Sequence, residues 1–470
     1  MNIYNTKSRR IEEFKPQNNN EVLLYTCGPT VYDYLHIGNW VAYIRWDILV
    51  RLLVADGYNV KRVMNITDVG HLVSDADDGE DKMEKGARRE GKTAWDIANY
   101  YTEYFYNGMN KLGLIKPTYI TKATDYIDQQ IELIKTLEAK GYTYKISDGI
   151  YFDTNKFSRY ADFAKLNLDE IKKGARVEFN PEKQSPSDFA LWKFSPTDTK
   201  RDMEWDSPWG KGFPGWHLEC SAMAMDKLAK TIDIHTGGID HIPVHHTNEI
   251  AQSEAATGKT FSNYWVHNNF LLVDGTKISK SLGNIITLED IEAKGFDTAD
   301  FRLFVLQSHY RSESNFSWNN IESAHNRLKR WKGLSSLLYQ TALFKSRSGD
   351  EIGLQIFESI DKIKECLNND LDTPGALAVI ENSFSMAEKY GINDKEENYY
   401  SEFIKAINEL LGLEINSGDI TDPQKSLLTQ REQAKHNKQW DISDSIREKL
   451  LKDGIVINDS KFGQIWHKQK

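Results

Sequence analysis

Four side chains of the kinds that bind zinc occur at spacings that a fold could bring together. Cys27 follows an apolar run, Cys220 follows Trp216 in WHLEC, and His245 and Glu249 lie four residues apart in HHTNEIAQ. Four residues are about one helical turn, so this histidine and this glutamate would share a helix face. Two thiolates, an imidazole and a carboxylate can satisfy tetrahedral zinc. Spacing alone leaves a structural explanation open, because an isolated cysteine is most often a small buried hydrophobe.

A motif rich in histidine and glycine precedes the HHTNE segment. Residues 233–246, DIHTGGIDHIPVHH, hold four histidines and a Gly-Gly pair. Gly237 and Gly238 would let a ligand approach the backbone closely, and Asp240 could take a ribose hydroxyl. A tight turn with surface histidines explains the same pattern, so both interpretations stay open.

Two short motifs are suited to binding phosphate. HIGN, from His36 to Asn39, falls at the predicted start of a helix, where free N–H groups and the helix dipole favour an anion. KISKS, with Lys277 and Lys280, predicts a basic loop that could place two ammonium groups on a triphosphate. Each motif alone is short enough to match by chance.

The elements that position these residues begin with a strand, a helix and a second strand. Residues 22–26, VLLYT, predict a buried strand that ends in a Cys-Gly-Pro turn. Apolar residues at helical spacing predict a helix over 37–53, and 59–66 predict the next strand. The crossover implies a parallel sheet with a ligand site at the carboxyl ends of its strands.

The remaining pattern indicates an interrupted sheet domain followed by helices. We predict an exposed loop over 75–91, helices over 95–112 and 125–140, a hairpin around Asp148 and Gly149, an irregular insertion reaching residue 209, and a short strand over 231–234. Amphipathic runs at 317–340, 353–369, 374–390 and 398–412 predict a helical bundle. Residues 425–470 hold ten Lys/Arg against six Asp/Glu, which hints at an anionic partner.

Composition excludes several classes of protein. Three cysteines in 470 residues cannot form a disulfide framework, and they fit a reducing cytoplasm. We find no apolar run of the roughly 18 residues that a membrane span needs, so we expect neither secretion nor membrane insertion. The net charge of −10 excludes non-specific coating of nucleic acid, so any RNA surface must be local.

Taken in order, the segments TCGPTVYDYLHIGN, NITD, SPSDFALWKF, FPGWHLECSAMA, HTGGIDHIPVHHTNEIAQS and KISKSLGN closely resemble cysteinyl-tRNA synthetases, a family of class I aminoacyl-tRNA synthetases. The resemblance implies that Cys27, Cys220, His245 and Glu249 hold zinc, whose open valence takes the thiol of cysteine. A metal-bound thiol is deprotonated, and this coordination is unavailable to alanine and much poorer for serine. Thr67 and Trp216, with Cys27, match positions of the amino-acid pocket.

The resemblance also implies the reaction. The cysteine carboxylate attacks the α-phosphate of Mg·ATP, and the terminal adenosine of tRNA(Cys) then attacks the adenylate through its 2′-hydroxyl. His36, Lys277 and Lys280 match the residues that stabilise charge on the phosphates, and Asn39, Gly237, Gly238 and Asp240 complete the expected ATP site. HIGN ends in Asn39 where the family's signature ends in His, so this position donates a hydrogen bond but carries no charge.

We therefore predict an α/β protein with a Rossmann-type parallel-sheet catalytic domain, an inserted domain, an α-helical bundle and a small C-terminal α/β anticodon-binding region. The predicted bounds are 1–125 and 210–286 for the two catalytic halves, 126–209 for the insertion, 287–422 for the stem-contact region and bundle, and 423–470 for the anticodon-binding region. Lys435, Trp440, Asp444 and Arg447 fall where the family reads the anticodon. An aromatic ring with charged neighbours suits unstacked RNA bases, whereas a charged surface helix with a packed Trp is the alternative. We expect a cytoplasmic monomer.

Two rival functions remain. A ligase that couples cysteine to an amino sugar would use the same core without an anticodon-reading end, and a non-catalytic zinc-dependent RNA-binding protein would need no triphosphate loop. Residues 287–470 argue against the first, and the two lysines of KISKS argue against the second.

Overall fold

The computed structural model describes residues 1–70, 81–167, 180–196, 201–345 and 349–469. Its centre is a parallel sheet of five strands. The strands lie in the order Ser262–Asn268, Ile232–Gly238, Glu21–Thr26, Asn59–Ile66, Tyr119–Lys122. The chain builds outward from Glu21–Thr26 in one direction and then resumes on its other side with Ile232–Gly238. This reversal is a topological switch point, where open α/β sheets bind ligands at the carboxyl ends of their strands.

The predicted strand–helix–strand unit is confirmed. Its crossover helix is Ile37–Ala55, and thirteen of its side chains are buried, among them Trp40 and Trp46. The helix buries most of its circumference because the parallel sheet lies on one side and the C-terminal helices lie on the other. The helix therefore fixes the position of His36, at its own start, relative to Cys27, which follows the strand Glu21–Thr26.

A second sheet lies between the two halves of the parallel sheet in sequence. Its four strands are antiparallel, in the order Thr143–Ile146, Gly149–Phe152, Phe189–Phe194, Gly212–Pro214. The first two form the predicted hairpin, with Ile146 paired to Gly149. The bounds 126 and 209 for an inserted domain stay a prediction.

Helices flank these sheets and make up most of the second half of the chain. Those up to the end of the HHTNE helix are Lys82–Glu90, Ala94–Lys111, Ile127–Ala139, Trp216–Lys227 and Thr247–Thr257. Those that follow are Leu288–Ala293, Thr298–Leu306, Trp318–Ser335, Glu351–Asn368, Thr373–Tyr390 and Glu397–Leu411. The last four overlap the four predicted amphipathic runs, the first of which continues past Ser335 into the short 3₁₀ helix Ser336–Tyr339. Short strands at Asn2–Asn5, Arg10–Glu13, Leu271–Val273, Thr276–Lys277 and Ser314–Phe316 complete this part.

The last segment has its own small core. It consists of the helices Asp422–His436 and Trp440–Lys452 and the hairpin Ile455–Ser460 with Gly463–Lys468. Its buried side chains include Leu450 and Trp466. A separate α/β unit therefore follows the helical bundle, in agreement with the predicted architecture.

Two predictions about local structure are wrong. The charged segment predicted as a loop contains the helix Lys82–Glu90, because Asp81 caps it by accepting from Met83 N at 2.7 Å and Glu84 N at 3.1 Å. Residues 71–80 of that prediction, with His71, lie outside the described residues. The short strand predicted over 231–234 continues to Gly238, because it pairs along the neighbouring strand as far as Asn268.

Among the residues that the structure describes, no helix combines the length and the apolar character that crossing a bilayer requires.

Candidate active site

A cleft of about 570 Å³ opens at the carboxyl ends of the parallel strands. It brings together the residues that the sequence analysis assigned to zinc, the amino acid and ATP, with the exception of Glu249. The predicted residues that line it are Cys27, His36, Asn39, Thr67, Trp216, Cys220, Gly237, Gly238, Asp240, His245, Lys277 and Lys280. Residues as distant in the chain as Cys27 and Lys280 thus share one cavity, which is large enough for a nucleotide and an amino acid.

The four predicted zinc ligands meet at the floor of this cleft. One ligand atom from each of Cys27, Cys220, His245 and Glu249 lies within 4.8 Å of the other three. Cys27 follows the first central strand, and Cys220 lies on the helix Trp216–Lys227. His245 belongs to a wide helical turn, Ile242–His246, that leads directly into the helix carrying Glu249. Soft thiolates with an imidazole and a carboxylate form a donor set of the kind that zinc prefers.

A second set of four side chains overlaps the first. Cys27 and Glu249 also lie within 4.8 Å of His235 and His246. Neither of these two histidines is among the described residues that line the cleft, whereas Cys220 and His245 both are. A metal held by the first set would therefore face a substrate, and one held by the second set would be enclosed.

The carboxylate of Glu249 is fully buried between two imidazoles. Its Oε2 lies 2.7 Å from His235 Nε2, and its Oε1 lies 2.7 Å from His245 Nε2. Burial raises the pKa of Glu249, but the charges of the two histidines outweigh burial and hold that pKa below its ordinary value. Conversely, the Glu249 carboxylate overcomes the effect of burial and raises the pKa of His245 to about 10. Glu249 is therefore ionised at neutral pH.

The two thiols differ in protonation. Hydrogen bonding from Cys220, together with His241, His245 and His246, lowers the pKa of Cys27 well below its usual range. The same interaction with Cys27, reinforced by burial, raises the pKa of Cys220. Without a metal ion, the floor of the cleft thus favours one thiolate, that of Cys27. A divalent metal ion would be needed to keep both cysteines deprotonated.

Besides His235, which contacts Glu249, three buried histidines that were not predicted as site residues support these ligands. His246 Nε2 lies 3.5 Å from Cys27 Sγ, and His246 Nδ1 lies 2.7 Å from His267 Nε2. His267 Nδ1 in turn lies 2.7 Å from Thr6 Oγ1. Burial lowers the pKa of His246 to about 3, so its ring is neutral. His217, from WHLEC, lies 3.0 Å from His245 through the Nδ1 atoms. The histidine-rich motif was the available signal for His235 and His246.

The predicted amino-acid pocket is ordered by a chain of hydrogen bonds. Thr67 Oγ1 donates to Glu219 Oε2 at 3.0 Å and accepts from Asn65 Nδ2 at 3.1 Å. Asn65 Oδ1 accepts from the backbone N of Gly28 at 2.8 Å. Trp216 forms one wall, with its ring 4.5 Å from the ring of His245 and inclined to it by 29°. The wall and the ligand side chain therefore fix each other's orientation.

The HIGN motif caps the first helix and faces the KISKS loop. His36 is the N-cap, and Asn39 Oδ1 accepts from His36 N at 3.1 Å, so the side chain predicted to contact ATP also caps the helix. A Cβ on Gly38 would lie 2.9 Å from Ile278 Cδ1, so glycine permits the two motifs to pack closely. Burial lowers the pKa of His36, so its ring is neutral at neutral pH.

The KISKS loop is held by the asparagine that follows it. Asn284 Oδ1 accepts from Ser279 N at 2.9 Å, and its Nδ2 donates to Lys277 O at 3.0 Å. Gly283 closes the turn with φ of 63°, a value that favours glycine. The loop therefore presents Lys277 and Lys280 at the cleft from one compact turn.

The residues predicted to read an anticodon lie in the C-terminal unit, away from the cleft. Lys435 Nζ lies 2.9 Å from Asp459 Oδ1. Trp440 begins its helix with 57% of its surface exposed, and Asp444 and Arg447 are exposed on the same helix. This placement leaves the Trp440 ring free to stack, and the roles of these four residues stay predictions.

Comparisons with known proteins identify the family of this chain. Residues 13–326 match the family described as tRNA synthetases class I (C) catalytic domain. The cysteine–tRNA ligase of Treponema denticola is 41% identical and covers 100% of this chain and 99% of its own. Cysteine–tRNA ligase 1 of Burkholderia lata is 42% identical and covers 98% of this chain and 96% of its own.

Solved structures show the same fold at low identity. The methionyl-tRNA synthetase of Mycobacterium tuberculosis, bound by methionyl-adenylate, has a TM-score of 0.59 at 15% identity and covers 85% of this chain and 92% of its own. LeuRS of Agrobacterium radiobacter, in a ternary complex, has a TM-score of 0.63 at 12% identity and covers 86% of this chain and 85% of its own. With a catalytic-domain match and full-length relatives near 40% identity, the chain belongs to the cysteine–tRNA ligase family, a family of class I aminoacyl-tRNA ligases.

Proposed function

We propose that this ligase selects L-cysteine through a bound zinc ion, activates it with Mg·ATP and transfers it to the 3′-terminal adenosine of tRNA(Cys). The observation that carries the proposal is the position of the Cys27–Cys220–His245–Glu249 cluster. It lies at the floor of the cleft whose rim carries HIGN and KISKS. A thiol-binding site and a triphosphate-binding site in one cavity suit the activation of cysteine.

The residues present fit a metal ion. Glu249 Oε1 is buried 2.7 Å from His245 Nε2, and the two atoms form an ion pair when that histidine is protonated. A metal cation shared by the two atoms would take the place of that proton, because a ligating imidazole is neutral. The donor set, with two sulfurs, favours zinc over magnesium or calcium. Bound zinc would supply a position that takes a thiolate but has no comparable interaction with a methyl group.

The side chains around the cluster would orient the amino acid. Trp216 packs on His245 and limits the width of the pocket, and Thr67 is fixed by Asn65 and Glu219. Walls fixed in this way would reject larger side chains by shape, whereas rejection of serine and alanine depends on the thiol contact. This division suits an enzyme that needs no second, editing site.

The chemistry of activation requires stabilisation of charge more than proton transfer. Lys277 and Lys280 would stabilise charge that develops on the phosphates as the cysteine carboxylate attacks. His36 is neutral and half-buried, so it would act as a hydrogen-bond donor and not as a cation. Gly237 and Gly238 would allow close approach of the nucleotide, and Asp240 is exposed at the cleft, where it could accept from a ribose hydroxyl. We assign no general base.

Transfer to tRNA would use the cleft and the C-terminal unit. The adenosine 2′-hydroxyl would attack the adenylate in the cleft, while Lys435, Trp440, Asp444 and Arg447 would contact the anticodon. The exposed Trp440 ring and its charged neighbours support this assignment. We propose that the enzyme works in the cytoplasm as a monomer, as its three unpaired cysteines suggest for the compartment.

The direct test is ATP–pyrophosphate exchange with metal-replete protein, followed by aminoacylation. We expect exchange that depends on cysteine and is at least about 100-fold weaker with serine or alanine, because a specific contact can discriminate by large factors. Absence of cysteine-dependent exchange would refute the proposal. Exchange without charging of tRNA(Cys) would favour the rival ligase that couples cysteine to an amino sugar.

A further inference from the structure

We propose that a group of tyrosines at the mouth of the cleft stacks on the unpaired bases of the tRNA 3′ end. We name this group, Tyr34, Tyr100, Tyr101 and Tyr104, the tyrosine platform. The identity of its ligand rests on the proposed function. The platform itself is a feature of the surface that neither zinc binding nor ATP binding explains.

The platform has a buried base and two exposed rings. Tyr34 and Tyr100 are 47% and 46% exposed, whereas Tyr101 is only 1% exposed. The ring centroid of Tyr34 lies 5.1 Å from that of Tyr101 and 5.0 Å from that of Tyr104, at angles of 89° and 83°. Because the rings meet nearly at right angles, they support one another without stacking face to face. Rigid exposed rings of this kind are pre-organised to stack on a base.

The two exposed tyrosines are also tied to each other. Their hydroxyl oxygens lie 2.9 Å apart, and their ring centroids lie 6.2 Å apart at 85°. Tyr34 comes from the loop before His36, and Tyr100 comes from the helix Ala94–Lys111. The platform therefore joins the segment that leads into HIGN to a separate helix, which keeps it fixed relative to the active site.

The position of the tyrosine platform indicates that its ligand is RNA. Tyr34 lines the cleft, and it is two residues from His36. If the terminal adenosine reacts in the cleft, the unpaired nucleotides before it must cross the mouth. Class I transfer thus places single-stranded bases next to Tyr34, and single-stranded RNA is bound chiefly by aromatic stacking.

The charges at the platform are mixed, with cations available for a phosphate backbone. Lys92 Nζ lies 5.1 Å from the centre of the Tyr100 ring and 3.2 Å from Glu90. Arg89 lies on the neighbouring turn, paired with Glu90 and 3.8 Å from Asp33. The rings therefore supply the base contacts, and Lys92 and Arg89 would supply phosphate contacts that weaken with salt.

The test compares RNA transfer with amino-acid activation. In Tyr100→Leu and Tyr34→Leu we expect the KM for tRNA in aminoacylation to rise about tenfold, since stacking on one base contributes roughly that factor. Tyr100 does not line the cleft in the described structure, so cysteine-dependent exchange without tRNA should stay at the parent rate in its variant. Tyr100→Phe should restore the KM, because stacking needs the ring and not the hydroxyl.

Tyr119→Leu is the matched control. Tyr119 is also 37% exposed and has a cation, Lys61, 5.9 Å from its ring, but it begins an edge strand at the opposite end from the cleft. Its variant should keep both activities. An unchanged KM for tRNA in both platform variants would overturn the proposal. Equal loss of exchange and transfer in the Tyr100 variant would also overturn it, because the platform would then only shape the cleft.

A binding measurement separates this proposal from the proposed function. A tRNA(Cys) acceptor minihelix with 2-aminopurine in its unpaired 3′ end should lose fluorescence on binding the parent protein, because a stacked base is quenched. Tyr100→Leu should reduce that quenching, and Tyr119→Leu should not. Absence of cysteine-dependent exchange in the parent would refute the proposed function, while equal quenching by parent and Tyr100→Leu would refute the platform.

Discussion

Lys280 of the KISKS loop forms an ion pair with Asp33, which lies three residues before His36. The pair spans the mouth of the cleft and joins the two motifs that are predicted to bind ATP. Arg89 approaches the same carboxylate oxygen to 3.8 Å. Because the Lys280 ammonium is engaged by a carboxylate, it must exchange that partner for the triphosphate when ATP binds.

Releasing this lysine should strengthen ATP binding slightly. The Lys280 side chain is 63% exposed, and pairs of that kind contribute about 1 kcal/mol or less. We therefore expect Asp33→Asn to lower the KM for ATP in pyrophosphate exchange by up to about fivefold. Lys280→Ala should instead reduce the exchange rate by about 100-fold, since a charge-stabilising group is removed. A higher KM for ATP in Asp33→Asn would show that Asp33 positions Lys280 and does not compete with the nucleotide.

Asn39 should contribute to both folding and nucleotide binding. Its Oδ1 accepts from His36 N, so Asn39→Ala should lower the free energy of unfolding by about 1 kcal/mol. Asn39→Asp keeps an acceptor and should keep that stability, but its negative charge should raise the KM for ATP several-fold. Urea unfolding and exchange kinetics measure the two effects. A parent-like stability for Asn39→Ala would contradict the capping role.

Asp68 should make stability depend on pH. It accepts from Thr124 N at 2.9 Å, yet burial raises its pKa to about 6. Below about pH 3 the carboxyl is protonated in both folded and unfolded chains and makes no difference, and at pH 4 it is protonated in the folded chain but about half ionised in the unfolded chain. Above pH 6 it is ionised in both, and burial of that charge destabilises the folded state by about 2–3 kcal/mol.

The isosteric variant isolates this effect. Asp68→Asn removes the charge, so we expect it to raise the free energy of unfolding by about 2 kcal/mol more at pH 7.5 than at pH 4. The measurement is urea unfolding of parent and variant at both pH values. If the free energies of unfolding of Asp68→Asn and the parent differed by the same amount at both pH values, the raised pKa of Asp68 would be contradicted.

Trp440 should affect tRNA and not the chemistry of activation. Because 57% of the Trp440 surface is exposed, Trp440→Ala should lower the free energy of unfolding only slightly. The substitution also removes a surface for base stacking, so the KM for tRNA should rise about tenfold. Cysteine-dependent exchange without tRNA should not change. Leu451→Ala, a 48% exposed position on the same helix, is the control for a general loss of surface area. Parent-like aminoacylation by Trp440→Ala would show that Trp440 is a surface side chain with no role in binding tRNA.

Much of the fold follows from apolar periodicity. The strand Asn59–Ile66 has the bounds that its sequence predicts, and the helix Ile37–Ala55 extends only two residues past its predicted end. The helix Lys82–Glu90 could not be found this way, because its segment is mostly charged and its buried apolar side chains are few, with Met83 and Ala87 among them. Its capping by Asp81 is a local signal that hydrophobic pattern ignores.

The site was predictable where chemistry is concentrated in short motifs. Cys27, Cys220, His245 and Glu249 were found from residue types and spacing, and the structure brings them together. His267 was missed because its contact with His246 depends on where the strand Ser262–Asn268 lies relative to the turn Ile242–His246. Spacing along the chain does not give that placement, so a contact of this kind requires the structure.

The most direct test of zinc-dependent cysteine selection is metal content measured together with cysteine-dependent ATP–pyrophosphate exchange in Cys220→Ser and Cys366→Ser. Cys366 lies in the helix Glu351–Asn368 of the bundle, is half-buried, and belongs to neither set of candidate ligands. We expect Cys220→Ser, like Cys27→Ser, to lose bound zinc and exchange, while Cys366→Ser keeps one zinc per chain and the parent rate. Full zinc content and parent-like exchange in Cys220→Ser would contradict zinc-dependent selection.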